Sequence, residues 1–529
     1  MPERVEERLR DVEDIGGEDA ALMRIARDRY ERAVDHDQDN RDAGIEDLEF
    51  MAGDQWPDDI RRQHMEDGRP IITVNRIPGF VDQVINDIRQ NRPGMKVRPA
   101  DDVSDDAIAD IYTGLIRHIE HRSDAITAYV TAAEGAVQCG IGHFRIVTEY
   151  AHEEGFDQVV RIKRIVDPFA VTWDPQAVEL DRSDAMYCFY EQALDLETYK
   201  ARYPDSALTG FDFMDVDSTH LGDWRQGEEI RIAEYWTKTP EKRTLALLDD
   251  GRTIDITDMK ESDGLLQDDQ GGVFRIVKSR KVKRSKVEMR IINGHEVLEG
   301  PFEWIGTGIP IIPVIGKETH IGRRTIRNGI IRHAKDPQRM YNYWRAAQTE
   351  QLALQPKAPW MVTPKNIAGV ESLWQQANRR NMPYLPYAPD PDNQGIPPQR
   401  NMPPVGSPSM HQEILVAQDD LRAATGIHYA PPTSDPKEVS GKAIMARQRQ
   451  SDVSTFNYSD NLARAIVSGG RQLVEILPKV YDTDRVVRLL NEDDTTEAAR
   501  INQTVVDDAG QEHRVNDLSV GVYDLAVTT

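Results

Sequence analysis

The chain has 529 residues, a length that suits three or four domain-sized units of ~150 residues, and its 39% hydrophobic and 29% charged content marks a soluble, rather polar protein. Its 90 Asp/Glu against 65 Lys/Arg leave a net charge of −25. Acidity of that size excludes tight DNA binding over a broad face, which draws its affinity from Lys and Arg displacing counterions; weak or transient DNA contact stays open.

The excess negative charge is concentrated at the start, where residues 1 to 60 hold 20 Asp/Glu and 8 Arg, a difference of 12. The opening "MPERVEERLRDVEDIGG" has no apolar h-region, so it is no secretory signal. Residues 1–45 read as an acidic, Arg-studded helix with frayed ends. The stretch 50–93 then gives a Gly/Trp/Pro turn, a short helix, an apolar strand "PIITVN" and a helix marked by Val81, Val84, Ile85 and Ile88 at i, i+3, i+4, i+7. Residues 107–138 form a second helical stretch, with Ile108, Ile111, Leu115, Ile119, Ile126, Tyr129, Val130 and Val137 on its stripes.

From 140 to about 320 the hydrophobic period changes to two. "HFRIVTEY", "DQVVRIKRIV", "EIRIAEYWTK", "TLALL", "VFRIVKSRKVKRSKVEMRIING" and "PIIPVIG" are strand-like runs between turn residues, with a short helix near 195–204. The reading is a β-rich region of mostly antiparallel pairs. The segment "HAKDPQRMYNYWRAAQTEQLALQPKAPWMV" (333–362) returns to helix, with Asp336 as N-cap, Pro337 at the first helical position and Pro356 closing it. Its apolar stripe of Met340, Trp344, Ala347 and Leu354 is thin and interrupted by Gln351, so it makes a poor core element. A proline-studded insert (356–409) follows, with one strand and one short helix visible in it. Met410, Ile414, Ala417, Leu421 and Ala424 then line one face of a helix over 410–424, and Gly426 fits its C′ position. A longer helix runs from Ser440 to Leu477, where Gly469–Gly470 are placed to kink it. Residues 485–529 are strands again. The last of these, "VGVYDLAVTT", stops without a polar tail, so the native chain is expected to continue past Thr529.

No catalytic motif survives inspection. Gly316-Lys317 is followed by Glu318, and Gly441-Lys442 by Ala443, so neither is a phosphate loop. "HEVLE" (295–299) lacks the second His of a zincin helix, and "DVDSTH" (215–220) has His220 where a calcium loop turns on Gly. Two cysteines, Cys139 and Cys188, in so long a chain speak against a disulfide framework or a zinc cluster and for a reducing compartment. The least polar stretch, "IGTGIPIIPVIG" (305–316), is far shorter than the ~20 residues of a membrane span. No enzyme activity, cofactor, metal site or membrane contact is therefore expected. One electrostatic feature remains. Residues 275–290 place eight Lys/Arg against one Glu, and Lys278, Arg280, Lys281, Lys283 and Arg284 populate both faces of a strand. Two readings stay open: contact with DNA or an acidic neighbour, or an edge strand guarded by lysines against aggregation.

Absent chemistry, acidity and thin-striped helices flanking a Pro-rich insert suggest assembly. The order of parts resembles the portal (head-to-tail connector) proteins of tailed bacteriophages, especially the podophage-type members. Three stretches carry the resemblance: "FMAGDQWPDDIRRQHMEDGRPIITVNRIPGFVDQVINDIRQNRP", "IRNGIIRHAKDPQRMYNYWRAAQTEQLALQPKAPWMV" and "RVNDLSVGVYDLAVTT". It spans about residues 20–529.

The resemblance implies an α+β portal fold. Its parts would be an acidic N-terminal helical arm (1–45), a wing, helical then β-rich (46–320), and a first stem helix (321–355, the helix itself from 326). A clip (356–405), a second stem helix (406–428), a channel loop (429–441), a long wing helix (442–480) and a C-terminal β segment of the wing (481–529) would follow, without the crown or barrel. Such a protein forms a ring, in the family usually of twelve subunits, at one capsid vertex, through which double-stranded DNA is packaged and ejected. Implied partners are the terminase large subunit, tail and adaptor proteins, major capsid and scaffolding proteins, and DNA in transient, non-specific contact. The implied location is the virion, after synthesis in the host bacterial cytoplasm. Lys437, Lys442, Gln348 and Gln351 become candidates for the DNA channel, and Lys365, Arg379 and Arg380 for clip contacts with terminase or adaptor. The alternatives are a tail or coat component without a DNA channel and, further off, a terminase ATPase–nuclease.

Overall fold

A computed structural model describes residues 17–91, 93–100, 105–206, 225–226, 229–248, 253–257, 265–267, 273–322, 324–354, 360–377, 380, 382–400, 408–427, 441–490, 495–506 and 512–528. The fold is α+β, and the chain divides into two compact units. One comprises Met1–Gly44, Ile85–Gly329 and Asn457–Thr529, the other Ile45–Val84 and Ile330–Phe456.

Among the described residues the first unit is built on two larger sheets, with two-stranded ribbons besides. Val297–Trp304, Val273–Ile292, Glu229–Leu248, Tyr187–Asp195 and Val171–Trp173 lie side by side in that order, every pair antiparallel. "EIRIAEYWTK" and "TLALL", read as two strands, are one strand of 20 residues, because Pro240 sits at a position opposite Ser285 where pairing continues around it. Phe189 and Tyr235 stack on one face of this sheet at 4.7 Å between ring centroids. Met23, Ala26 and Ala33 of the Gly17–Ala52 helix pack on them, so a helix rich in acids needs only a narrow apolar seam there. The second sheet orders Ile311–Ile315, Ile141–Tyr150 and Gln158–Arg164.

The stretch 107–138 is two helices rather than one, Asp106–Ser123 and Ala125–Gln138. Asp124 takes φ 48, ψ 47 between them; its backbone N–H closes on Glu120 and His121 carbonyls, ending the first helix as an αL cap does. The second of the pair is so close to its sheet that a Cβ on Gly142 would overlap the Ala132 carbonyl. The Gly441–Val480 helix runs unbroken past Gly469 and Gly470. Those glycines serve approach: a Cβ on Gly470 would stand 2.6 Å from Leu525 Cδ1 and 2.7 Å from Met95 Sδ.

In the second unit the helix over 333–355 starts earlier than its proline suggests, at Ile331, and Pro337 lies inside it. Asp336 is exposed and pairs with Arg339 at 3.5 Å instead of capping. Burial of Ile331 and Ala334 outweighs the hydrogen bond that Pro337 cannot make. Residues 324–328, just upstream, are a strand paired with Lys317–Ile321, so no helix runs from 321 or 326. "PIITVN" is not a strand of any sheet; it lies extended and bonds to helix side chains. The later helix occupies Pro408–Thr425 with Ile414, Ala417 and Leu421 buried, and Gly426 follows at φ 73, as the sequence indicates.

Candidate functional site

The helix–insert–helix block of the second unit is the part of the chain whose residue pattern a packed core does not explain, and its polar residues fall into distinct groups. The first anchors the start of the Ile331–Leu354 helix. Asp47, with no exposed surface, meets Arg332 at 2.8 Å and Lys335 at 2.8 Å. Glu46 joins from outside, 3.1 Å from Lys335 and 3.2 Å from Arg339. Its partial desolvation opposes ionisation, but hydrogen bonds and charge from Lys335 and Arg339 hold its carboxyl below the usual value.

The second group is an amide network on the same helix. Gln338 donates from Nε2 to the Val74 carbonyl (2.8 Å) and to Asn342 Oδ1 (3.1 Å), and the Val74 N–H donates to that same Oδ1 (3.0 Å). Asn342 Nδ2 donates to Gln55 Oε1 at 2.6 Å, and Gln55 Nε2 to Asn75 Oδ1 at 2.8 Å. The side chains of Gln338 and Asn342 thus stand in for a neighbouring strand beside residues 70–76, meeting the backbone groups that burial would otherwise orphan. Half of the helix's thin apolar stripe is explained: one of its polar faces is an internal bonding face.

The third feature is the seam with the Pro408–Thr425 helix. Tyr341, Ile414 and Ala417 form a small core with Val74 and Trp344 against it, and the Arg76 guanidinium lies 4.5 Å above the Tyr341 ring. Other apolar side chains of the two helices stay exposed: Met340, Tyr343 and Leu352 on one, Leu415 and Val416 on the other.

Between the helices the insert carries its own minimal core. Trp360 and Trp374 meet edge to face at 5.4 Å, Arg400 lies over Trp360 at 5.6 Å, and Trp374 Nε1 donates to the Pro386 carbonyl at 2.8 Å. Thr363 Oγ1 donates to Asp390 Oδ2 (2.8 Å), and Asn366 Nδ2 donates to the Ala388 carbonyl (2.9 Å), closing a loop of about two dozen residues. Tyr384, Tyr387 and Met361 stand exposed around that core.

The candidate residues named from the sequence that are described lie on several different elements. Gln348 is half-buried and accepts from Arg345 at 2.9 Å, and Gln351 is half-buried. Lys437 lies outside the described residues; Lys442 is in the Gly441–Val480 helix, but its side chain lies outside them too. Lys365 is ion-paired with Asp392. Arg380 is exposed, while Arg379 lies outside the described residues. In the first unit, Lys278, Arg280, Lys281, Lys283 and Arg284 are all exposed on the Val273–Ile292 strand. Sequence reading missed the Asp47 and Gln338/Asn342 groups; the signal for them is a run of polar residues at helical spacing with no apolar stripe to outweigh it.

Several buried ionisable groups of the first unit are engaged in structure. A cavity of about 240 Å³ in the first unit is lined by Asp37, Arg182, Arg324 and Arg327 among others. Its charges pair locally, Arg327 with Asp37, Arg182 with Glu318 and Arg324 with Asp39. His143 is fully buried beside Trp173, whose Nε1 donates to its Nε2 at 3.1 Å; burial, then the charges of Arg327, Arg41 and Arg182, push its pKa down to about 3. The Cys188 thiol is pushed far up by burial and by Glu234 and Glu191, which keeps it inert. Among the described residues no group of three or more His, Cys, Asp or Glu could hold a metal ion, and no helix is long and apolar enough to cross a membrane.

The sequence profile described as phage P22-like portal protein matches residues 27–529. A protein named Portal protein, from Acyrthosiphon pisum secondary endosymbiont phage 1, is 27% identical over 526 residues, covering 94% of this chain and 72% of that protein. With a match running from residue 27 to residue 529, the chain belongs to the phage P22-like portal protein family.

Proposed function

We propose that this chain forms a closed ring at one vertex of a phage capsid, through which double-stranded DNA enters during packaging and leaves during ejection. The observation that carries this reading is the helix–insert–helix block: two helices joined by a small seam at Tyr341, Ile414 and Ala417, with large apolar side chains left exposed on both. Exposed apolar residues on two paired helices suit burial against copies of the same helices around a ring. On this reading the Ile331–Leu354 and Pro408–Thr425 helices are the stem, the insert between them the clip, and residues 429–441 a loop toward the channel. The β-rich first unit is then the wing, with the Gly441–Val480 helix running into it.

A net charge of −25 favours passage over binding. DNA carries one charge per ~1.7 Å of axis, so a wall that bound it tightly would brake it. Gln348 and Gln351 offer neutral hydrogen-bonding groups on the stem, and Lys437 and Lys442 sparse cationic points. The clip, with exposed Tyr384, Tyr387 and Arg380, is the surface offered to the terminase motor and afterwards to tail adaptors. Capsid and scaffolding proteins are the further partners of this reading, twelve the ring number, and the virion vertex the location after synthesis in the bacterial host.

The test is packaging with the clip altered. Phage carrying Arg379→Glu and Arg380→Glu should build heads with the ring in place but package DNA at least about tenfold less, since reversing two charges at a docking rim weakens encounter and grip. Full heads at the normal yield would count against the clip assignment.

A further inference from the structure

We infer that the basic stretch of the Val273–Ile292 strand docks on a carboxylate stripe of the Gly17–Ala52 helix in a second copy of this chain, making a charged contact between neighbouring subunits. The inference rests on the ring reading above.

The strand side is unusual for so acidic a protein. Lys278, Arg280, Lys281, Lys283 and Arg284 are all exposed, and none of the five has an ion pair among the described residues. Antiparallel pairing sorts them by face. Lys281 stands opposite Thr244 and Lys283 opposite Lys242, so one face presents three lysines among Thr244, Ser279 and Ser285. Arg280 and Arg284 project from the other face, opposite Leu245 and Glu241. Like charges directly opposite each other destabilise a strand pair. Lys242 and Lys283 therefore cost the isolated chain something that an anionic partner would return. The other edge of residues 276–286 pairs with no strand among the described residues, which leaves the stretch approachable from the side as well.

The helix supplies the matching surface. Asp28, Asp35, Asp39 and Asp42 recur at spacings of 7, 4 and 3 and are all exposed. At 3.6 residues per turn they fall within about 60° of one another, a stripe about 21 Å long at 1.5 Å per residue. The six steps from Lys278 to Arg284 span about 20 Å at ~3.4 Å each, about the same length. Asp35 and Asp42 have no cationic partner among the described residues. Asp28 pairs with Arg32 and Asp39 with Arg324, but these pairs are exposed and solvent-screened, so they exchange partners at little cost.

Ring closure needs two different surfaces on one chain, because each subunit meets its two neighbours through unlike faces. A cationic strand and an anionic helix of equal length in one unit meet that need. A strand that served DNA would have no use for the carboxylate stripe.

The experiment compares three full-length chains: Lys281→Glu/Lys283→Glu, Asp35→Lys/Asp42→Lys, and all four changes together. Assembly is read by native mass spectrometry and sedimentation at low salt and at about 0.5 M salt, where screening acts within about 4–5 Å. All four substituted positions are exposed, and circular dichroism with thermal unfolding checks that each variant folds as the wild type does. Each double variant should lose ring at least tenfold in the concentration needed, the wild-type ring should weaken with salt, and the four-fold swap should recover assembly. Unchanged assembly of both double variants overturns the contact and leaves the ring standing. A gel shift on a short DNA duplex separates the rival partner: loss of DNA binding in Lys281→Glu/Lys283→Glu with assembly intact assigns the strand to DNA and also overturns the contact. A wild-type chain that stays monomeric at every concentration overturns ring and contact together.

Discussion

Asp47 has no exposed surface, and it faces Arg332 and Lys335 at 2.8 Å each. Such a group does little for stability against an apolar alternative, but removing one member leaves the others charged in a poor solvent. Asp47→Ala is expected to cost about 3 kcal/mol or more, seen as a lower urea midpoint with unchanged slope. Asp336→Ala, beside Lys335 in sequence and exposed, should change stability by less than about 0.5 kcal/mol; it serves as the control. His143 contributes a pH dependence to the first unit. Its folded pKa lies near 3, below the ordinary value of 6.5, so the unfolded chain takes up the proton first as pH falls. The stability it contributes is complete above pH 6.5 and drains away below it, by about 1.4 kcal/mol per pH unit at most. His143→Gln should flatten that acid limb between pH 6 and 4 in thermal melts; an unchanged slope would show that another group sets it.

Among the elements, the sequence is most readable where one physical effect dominates. Ile414, Ala417 and Leu421 recur at helical spacing and Gly426 can turn left-handed, so the Pro408–Thr425 helix is legible at both ends. The alternating runs of the β region are legible for the same reason. Readings fail where tertiary contact overrides a local signal. Pro337 looks like a helix start, yet the buried Ile331 and Ala334 and the ion pairs to Asp47 carry the helix upstream of it. "PIITVN" has strand composition, but its partners are the amides of Gln338 and Asn342, which no periodicity reveals. The break at Asp124 depends on a single left-handed residue inside a continuous apolar pattern. Gly469–Gly470 were candidates for a kink; their use is close packing against Phe144, Met95 and Leu525. The tightest such approach is at Gly142. Gly142→Ala would press a methyl group into the Ala132 carbonyl, with backbone on both sides, and is expected to cost about 3 kcal/mol or to prevent folding. Near wild-type melting of that variant would mean the Ala125–Gln138 helix sits farther from its sheet than described.

At the scale of the whole molecule, the family was legible from three stretches, while the residues proposed to work in it belong to surfaces that one chain does not complete. Gln348 accepts from Arg345 and Lys365 pairs with Asp392 within the chain, and a ring's working surfaces are completed by neighbours that one chain does not contain. An acidic subunit with exposed apolar side chains on two paired helices makes sense as one part of a closed assembly. The most direct measurement is the mass and outline of the purified full-length protein, by native mass spectrometry with negative-stain images. A closed ring of about a dozen 60.0 kDa subunits around a central hole is the predicted result. An open filament, a flat lattice or a solid particle with no hole would contradict it.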